Sequence, residues 1–244
     1  VIVPEPCFVA YQPTVIFAGG VPVAVPTYVS QNFQVAVEDL EKARTPRTRA
    51  ILLGYPNNPT GAVLDRSRLL EIAAWAEKYD LLVVSDEIYD RLVYGIEHTC
   101  FSALPGMWKR TILVGGFSKF YAMTGWRIGY AAAPPAILAA MRTIHQFIIM
   151  SAPTTGQEAA IEALKSGEAY VESMRQEYDR RRRLIVAGFN GLGLTCLERP
   201  GACCAFPSIV ATGLNEARSG ARVLALENVA HQPGAALHPP AEAR

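Results

Sequence analysis

The chain has 244 residues, 23 of them basic and 22 acidic, for a formal net charge of +1, and half of it is hydrophobic against 18% charged. That composition excludes a disordered chain and gives no electrostatic footprint for nucleic acid or an anionic membrane. No apolar run approaches the ~18 residues that would suggest a membrane span.

Val1, Ile2 and Val3 open the sequence as a strand already under way, with no initiator Met and no signal peptide, so a piece of a longer protein is expected. Short apolar, β-branched runs then predict strands at 21–25, 50–53, 81–85, 111–115 and 128–132. Helices are predicted over 38–43, 67–79, 135–148, 156–164 and 168–189. The segment 67–79 is the clearest, because Leu69, Leu70, Ile72, Ala73 and Ala76 form one face with Glu71, Glu77 and Lys78 off it. Alternation of this kind predicts an α/β fold: a mostly parallel sheet flanked by helices, with sites at the carboxyl ends of the strands.

The polar helix around 168–183 reads as a bridge into a smaller domain, and its basic run 180–183, beside Glu177 and Asp179, reads as a solvated helix face. After Pro200 the apolar periodicity fades. Cys7, Cys100, Cys196, Cys203 and Cys204 form no CxxC pair and are odd in number, and the four histidines supply no metal-ligand spacing. A reduced, cytosolic protein without a metal site is expected.

Four unusual clusters each follow or close a predicted strand: Tyr55-Pro56-Asn57-Asn58-Pro59-Thr60-Gly61, Ser85-Asp86-Glu87-Ile88-Tyr89, Gly115-Gly116-Phe117-Ser118-Lys119 and Gly125-Trp126-Arg127-Ile128-Gly129-Tyr130. The first is a turn in any protein. Asp86, closing an apolar run, is either a helix N-cap or a buried acid with a specific partner. In the last cluster an Arg enters an otherwise apolar strand. Lys119 lacks the context of a nucleotide phosphate loop, and no Gly-x-Gly-x-x-Gly is present for a dinucleotide. Pyridoxal 5'-phosphate has demands these parts can meet one at a time: an amine, an acid for the ring nitrogen, an aromatic face, and cations or donors for the phosphate. Tyr89 and Phe8 also read as core aromatics, and Trp126 and Tyr130 as packing.

The stretch Gly116-Phe117-Ser118-Lys119-Phe120-Tyr121-Ala122-Met123-Thr124-Gly125-Trp126-Arg127-Ile128-Gly129 resembles the lysine-attachment signature of the class I/II aminotransferases, fold type I pyridoxal-phosphate enzymes related to aspartate aminotransferase. Asn57-Asn58-Pro59-Thr60-Gly61 and Ser85-Asp86-Glu87-Ile88-Tyr89 resemble the family's other hallmarks in the expected order, with 28 residues from Asn58 to Asp86 and eight from Lys119 to Arg127. Pro4-Glu5-Pro6-Cys7-Phe8 resembles the segment carrying the ring-stacking aromatic.

The resemblance implies that Lys119 holds the cofactor as a Schiff base and moves the α-proton, while Asp86 pairs with the ring nitrogen. Tyr89 and Asn58 would bond the phenolic oxygen, Arg127 and Ser118 the phosphate, and Phe8 would stack on the ring. The catalytic set is therefore Lys119, Asp86 and Tyr89, and no metal is implied. Residues 1–170 would form the cofactor-binding large domain, lacking its first elements, and 171–244 the bridging helix and an incomplete small domain. The implied activity is transfer of an amino group between an α-amino acid and a 2-oxo acid by a homodimer when complete. A β- or γ-lyase on the same fold, or a non-catalytic truncated remnant, are the alternatives. No Arg lies within 146–156, and Phe147, Ile148, Ile149 and Met150 make that stretch apolar, which points to a neutral or aromatic amino acid. A substrate-carboxylate arginine is expected after a segment spanning 229–233, where the chain runs instead through 234–240; Arg244 receives no role.

Overall fold

The computed structural model of the chain describes residues 1–227 and 229–231; positions 232–244, Arg244 among them, lie outside the described residues. Six strands form one sheet: β1 (Ile2–Glu5), β2 (Val23–Pro26), β3 (Ala50–Gly54), β4 (Leu82–Asp86), β5 (Thr111–Gly116) and β6 (Gly129–Ala132). Their order is β2-β1-β3-β4-β5-β6, parallel throughout except that β6 runs antiparallel to β5. The helices are α1 (Tyr11–Phe17), α2 (Val37–Ala43), α3 (Arg66–Lys78), α4 (Pro135–Ile149), α5 (Thr154–Ser166), α6 (Glu168–Gly191) and α7 (Glu216–Glu227). The expected alternation and parallel sheet are therefore present, with boundaries within two or three residues of those read from the sequence.

The main core lies between the sheet and the helices α2 and α3. Ile2, Val25, Ile51, Leu53 and Val83 of the strands pack with Leu40, Ile72, Trp75 and Ala76 of the helices. A smaller cluster of Val3, Cys7 and Leu52, with Tyr11 and Val84 against it, covers the other face of the central strands. Burial on both faces explains why these strands read as continuous apolar runs. Helix α3 starts where Asp65 accepts a 2.8 Å bond from the Arg68 amide. It stops where Asp80 takes a left-handed φ of 50° and Leu81 N–H returns to Ala76 C=O.

Three expectations are corrected. Leu70 is exposed, and Trp75 takes its place on the buried face of α3. Arg127 does not enter a strand: it follows a 3-10 turn, with φ at 54°, and β6 begins two residues later. The run 180–183 is only partly a solvated face. Arg180, Arg181 and Arg183 are exposed and pair with Glu177 or Asp179, but Arg182 is half-buried between Asp179 and Glu198, with its guanidinium 4.8 Å from the centre of the Tyr94 ring. Tertiary packing decided that position, since three of four neighbours on the same run stay in solvent.

Candidate active site

Asp86 is the last residue of β4, and Lys119 follows the end of β5 by three residues. Because β4 and β5 are parallel, with Asp86 opposite Val114, both leave the sheet at its carboxyl rim. Asn58 lies beyond the end of β3 at the same rim, in a turn held from within. There the Asn57 side chain donates to Pro6 and Gly54 carbonyls and accepts from the amide and hydroxyl of Thr60.

Asp86 accepts a 2.8 Å hydrogen bond from the Tyr11 hydroxyl and a 3.1 Å bond from the Ile88 amide. Burial raises its pKa, and both hydrogen bonds oppose that rise. The acid is therefore not a plain N-cap, and among the described residues it forms no ion pair with another side chain. Tyr11 in turn meets Phe8 edge to face, with ring centres 5.8 Å apart.

Lys119 Nζ lies 5.6 Å from the centre of the Tyr89 ring, within reach of a cation–π contact. Tyr89 is buried, and desolvation with the neighbouring Cys203 and Cys204 raises its phenol pKa. Cys204 Sγ lies 4.0 Å from Asn58 Oδ1. Asn58, Cys204, Cys203, Tyr89 and Lys119 thus form one run of neighbours, and Phe8, Tyr11 and Asp86 form another. The two act on each other electrostatically through Asp86, Tyr89 and Tyr11.

Arg127 and Ser118 are tied together through Thr124. The guanidinium donates to Thr124 C=O at 2.7 Å, and the Thr124 hydroxyl donates to Ser118 C=O at 2.7 Å. Arg127 forms no ion pair among the described residues, so its remaining donors are open to an anion. The segment 115–130 is tightly packed: a Cβ on Gly115 would stand 2.5 Å from the Tyr130 ring, which is packing for Tyr130 as expected.

The sequence reading missed Tyr11, Cys203 and Cys204. The only signal for Tyr11 was an aromatic three residues after Phe8, just past a strand; for the cysteines it was their adjacency inside 201–207. It also missed the buried Glu87, which accepts from Ser85 Oγ and Phe101 N–H and lies 2.6 Å from His98 Nε2.

A mostly parallel sheet with an acid, two phenols and an amine on its carboxyl rim is a small-molecule site of the α/β class. The class I and II aminotransferase model matches residues 1–244, and the chain belongs to that family. It is 48% identical over 242 residues to the putative aminotransferase YugH of Bacillus subtilis, covering 99% of this chain and 63% of that protein. It is 43% identical to aromatic-amino-acid aminotransferase 2 of Thermococcus litoralis, over 97% of this chain and 62% of the relative. The crystal structure of an aromatic aminotransferase from Pyrococcus horikoshii superposes with a TM-score of 0.94 at 43% identity, covering 97% of this chain and 64% of that one. The fold is that of the type I enzymes. The chain spans a little under two thirds of the length of these relatives.

Proposed function

We propose that this chain belongs to a pyridoxal-phosphate-dependent aminotransferase that moves an amino group between an α-amino acid and a 2-oxo acid. The observation that carries the reading is Asp86 at the rim, half-buried, raised in pKa by burial, and bonded only to uncharged donors. A carboxylate so placed calls for a cation, and a protonated pyridine nitrogen is one that suits a rim lined by the rings of Phe8, Tyr11 and Tyr89. The donor set is consistent with the rest of that cofactor: an amine in Lys119, a phenol in Tyr89, an amide in Asn58, a guanidinium in Arg127 with no ion pair among the described residues, and an exposed ring in Phe8.

When bound, the cofactor supplies an aldehyde for amine capture and a ring that draws electrons from the substrate α-carbon. Lys119 Nζ would bind that aldehyde and, once released, carry the proton to and from the α-carbon. Asp86 would hold the ring-nitrogen proton in place, with Tyr11 and the Ile88 amide fixing its orientation. Tyr89 and Asn58 would donate to the ring oxygen. Arg127, with Ser118 beside it, would take the phosphate, and Phe8 would cover one ring face.

The same reading divides the chain into a large domain over 1–170 and a bridging helix with part of a small domain over 171–244, and makes the whole protein a homodimer. Aspartate and aromatic aminotransferases appear among the relatives at the same 43% identity, so they do not choose a substrate. The apolar stretch of Phe147, Ile148, Ile149 and Met150 favours a neutral or aromatic amino acid. A kcat/KM for aspartate well above those for phenylalanine, tyrosine and alanine, on a full-length version, would remove that choice.

The test of the cofactor reading is spectroscopic. Purified protein mixed with pyridoxal phosphate should gain an absorbance band near the visible boundary that borohydride abolishes, and Lys119→Ala should lack it. Added amino acids should then leave their amino group on the cofactor; release of ammonia instead would assign a lyase. No band with the intact lysine would sink the proposal.

A further inference from the structure

Between the paired ends of β5 and β6, the loop 117–128 is held at its base by the core and open at its top. Phe117, Met123 and Ile128 are buried together, Phe117 N–H bonds Ile128 C=O at 3.4 Å, and Met123 N–H bonds Phe117 C=O at 3.2 Å. Lys119 is half-buried, while Thr124 and Arg127 are exposed, so the base alone does not fix the upper residues against one another. Across the top run two further bonds, both made by Thr124. Its hydroxyl donates to Ser118 C=O at 2.7 Å, and its own C=O accepts from the Arg127 guanidinium at 2.7 Å.

The hydroxyl bond is not a cap. The 3-10 turn Thr124–Trp126 has Met123 as its N-cap, with no side-chain bond, and a capping hydroxyl would accept from an amide further along the chain. Here the hydroxyl donates instead, to a carbonyl six residues back. Ser118 C=O belongs to the peptide that joins Ser118 to Lys119. One residue therefore grips the peptide bearing the lysine with its side chain, and the arginine with its backbone.

We propose that Thr124 is a positioning residue that sets the separation of Lys119 and Arg127. It thereby matches them to the span between the aldehyde and the phosphate of the cofactor that the aminotransferase reading, on which this rests, assigns to them. A ligand gripped at two ends gains from the second grip only when the two protein groups stand at the ligand's own spacing. The two grips differ in tolerance. The lysine amine rides on a flexible four-carbon stem and still reaches an aldehyde after a small shift, whereas a guanidinium meets a phosphate through a rigid planar fork. Loss of the Thr124 hydroxyl is therefore felt at the phosphate and not at the aldehyde. A hydroxyl that only stabilised the loop would be felt at both ends or at neither.

The experiment titrates pyridoxal phosphate and unphosphorylated pyridoxal into the 244-residue chain and reads the borohydride-sensitive absorbance band, with thermal melts showing that each variant folds. Thr124→Val removes the hydroxyl and keeps the branched shape. It should weaken pyridoxal phosphate about two- to ten-fold, the worth of one hydrogen bond between uncharged groups, and leave pyridoxal unchanged. Thr124→Ala should repeat that result, and Thr124→Ser, which keeps the hydroxyl, should match the parent. In an Arg127→Ala background Thr124→Val should cost nothing further, since the group it positions is gone. Equal loss for both ligands, a Thr124→Ser variant that behaves like Thr124→Val, or the same loss without Arg127 would each overturn the proposal. A parent chain that gains no band with either ligand overturns the cofactor reading and this proposal with it. A parent band whose preference for the phosphate ester survives Thr124→Val overturns this proposal alone.

Discussion

Tyr11 and Asp86 are 75 residues apart in sequence, and a 2.8 Å hydrogen bond from the phenol to Oδ2 joins them at the sheet rim. The bond runs to a carboxylate that burial disfavours, so the protein holds an ionised acid at a cost and offsets part of that cost with a phenol. Tyr11→Phe should therefore lower stability at pH 7 by about 1.5–3 kcal/mol, the range for a hydrogen bond to a charged group.

The pH dependence of that deficit has a defined sign. The folded pKa of Asp86 is raised, so the fold binds its proton more readily than the unfolded chain, and the associated stability is present at acid pH and lost as pH rises through the folded pKa. Tyr11→Phe raises the folded pKa further. Its deficit should be largest at neutral pH and shrink as pH falls through the folded pKa of Asp86, where the carboxyl takes up its proton. Asp86→Asn should be at least as stable as the parent at pH 7. Urea melts of the three proteins at pH 7 and pH 4 decide the matter, and a pH-independent Tyr11→Phe deficit would refute the electrostatic account.

Arg127 offers a comparison between two ligands. Its guanidinium bonds only a local carbonyl, so truncation costs little packing. Arg127→Ala should weaken pyridoxal phosphate about ten- to hundred-fold, the equivalent of one charge-assisted contact, and leave unphosphorylated pyridoxal unaffected. Equal loss for both ligands would move the phosphate site elsewhere.

Gly201, whose N–H bonds Gly61 C=O at 3.0 Å, tests how closely its segment packs on Val63 and Pro56. An added methyl would lie 2.7 Å from Val63 Cγ2 and 2.8 Å from Pro56 Cβ, and neither is the free end of a long side chain. Gly201→Ala should destabilise by about 1–3 kcal/mol as an overpacked site. Thermal melts beside the parent chain decide it, and an unchanged melting temperature would mean that the segment can shift without cost.

Glu87 points away from Asp86 along the chain and serves the interior. Its side chain is 6% exposed, and Ser85, Phe101 N–H and His98 all turn to it. Glu87→Ala strands two buried donors and a half-buried imidazole, and a loss of about 1–3 kcal/mol for each stranded buried donor is expected. Chemical denaturation that shows less than about 1 kcal/mol would mean that water replaces the carboxylate.

Much of this was legible because periodicity and turn chemistry are local. Strands β3, β4 and β5 declared themselves as apolar runs, and α3 by its apolar face. Helix α1 did not: Pro13, Thr14, Val15 and Ile16 argue against a helix, the Ala10 cap contributes no side-chain bond, and only Val15 is buried. What folds it there is its docking beside β1 with Tyr11 on Asp86, a contact no window of sequence contains. Arg182 was misread for the same reason, since Tyr94 and Glu198 are both distant from it in the chain or off its helix. Asp86, Lys119 and Arg127 were found as members of ordered motifs, but the phenol and the two thiols that complete their surroundings arrive from far away.

The antiparallel return of β6 along β5, with Gly129 opposite Gly116, closes the connection between them into a single short loop. Lys119 and Arg127 both ride on it, so the distance between these two cations is set by a dozen neighbouring residues and little else. The acid–phenol pair is assembled from opposite ends of a much longer stretch of chain. Opening at the β1–α1 end would release Tyr11 from Asp86 while leaving the lysine and arginine in register, so the site comes apart by halves, the long-range half first.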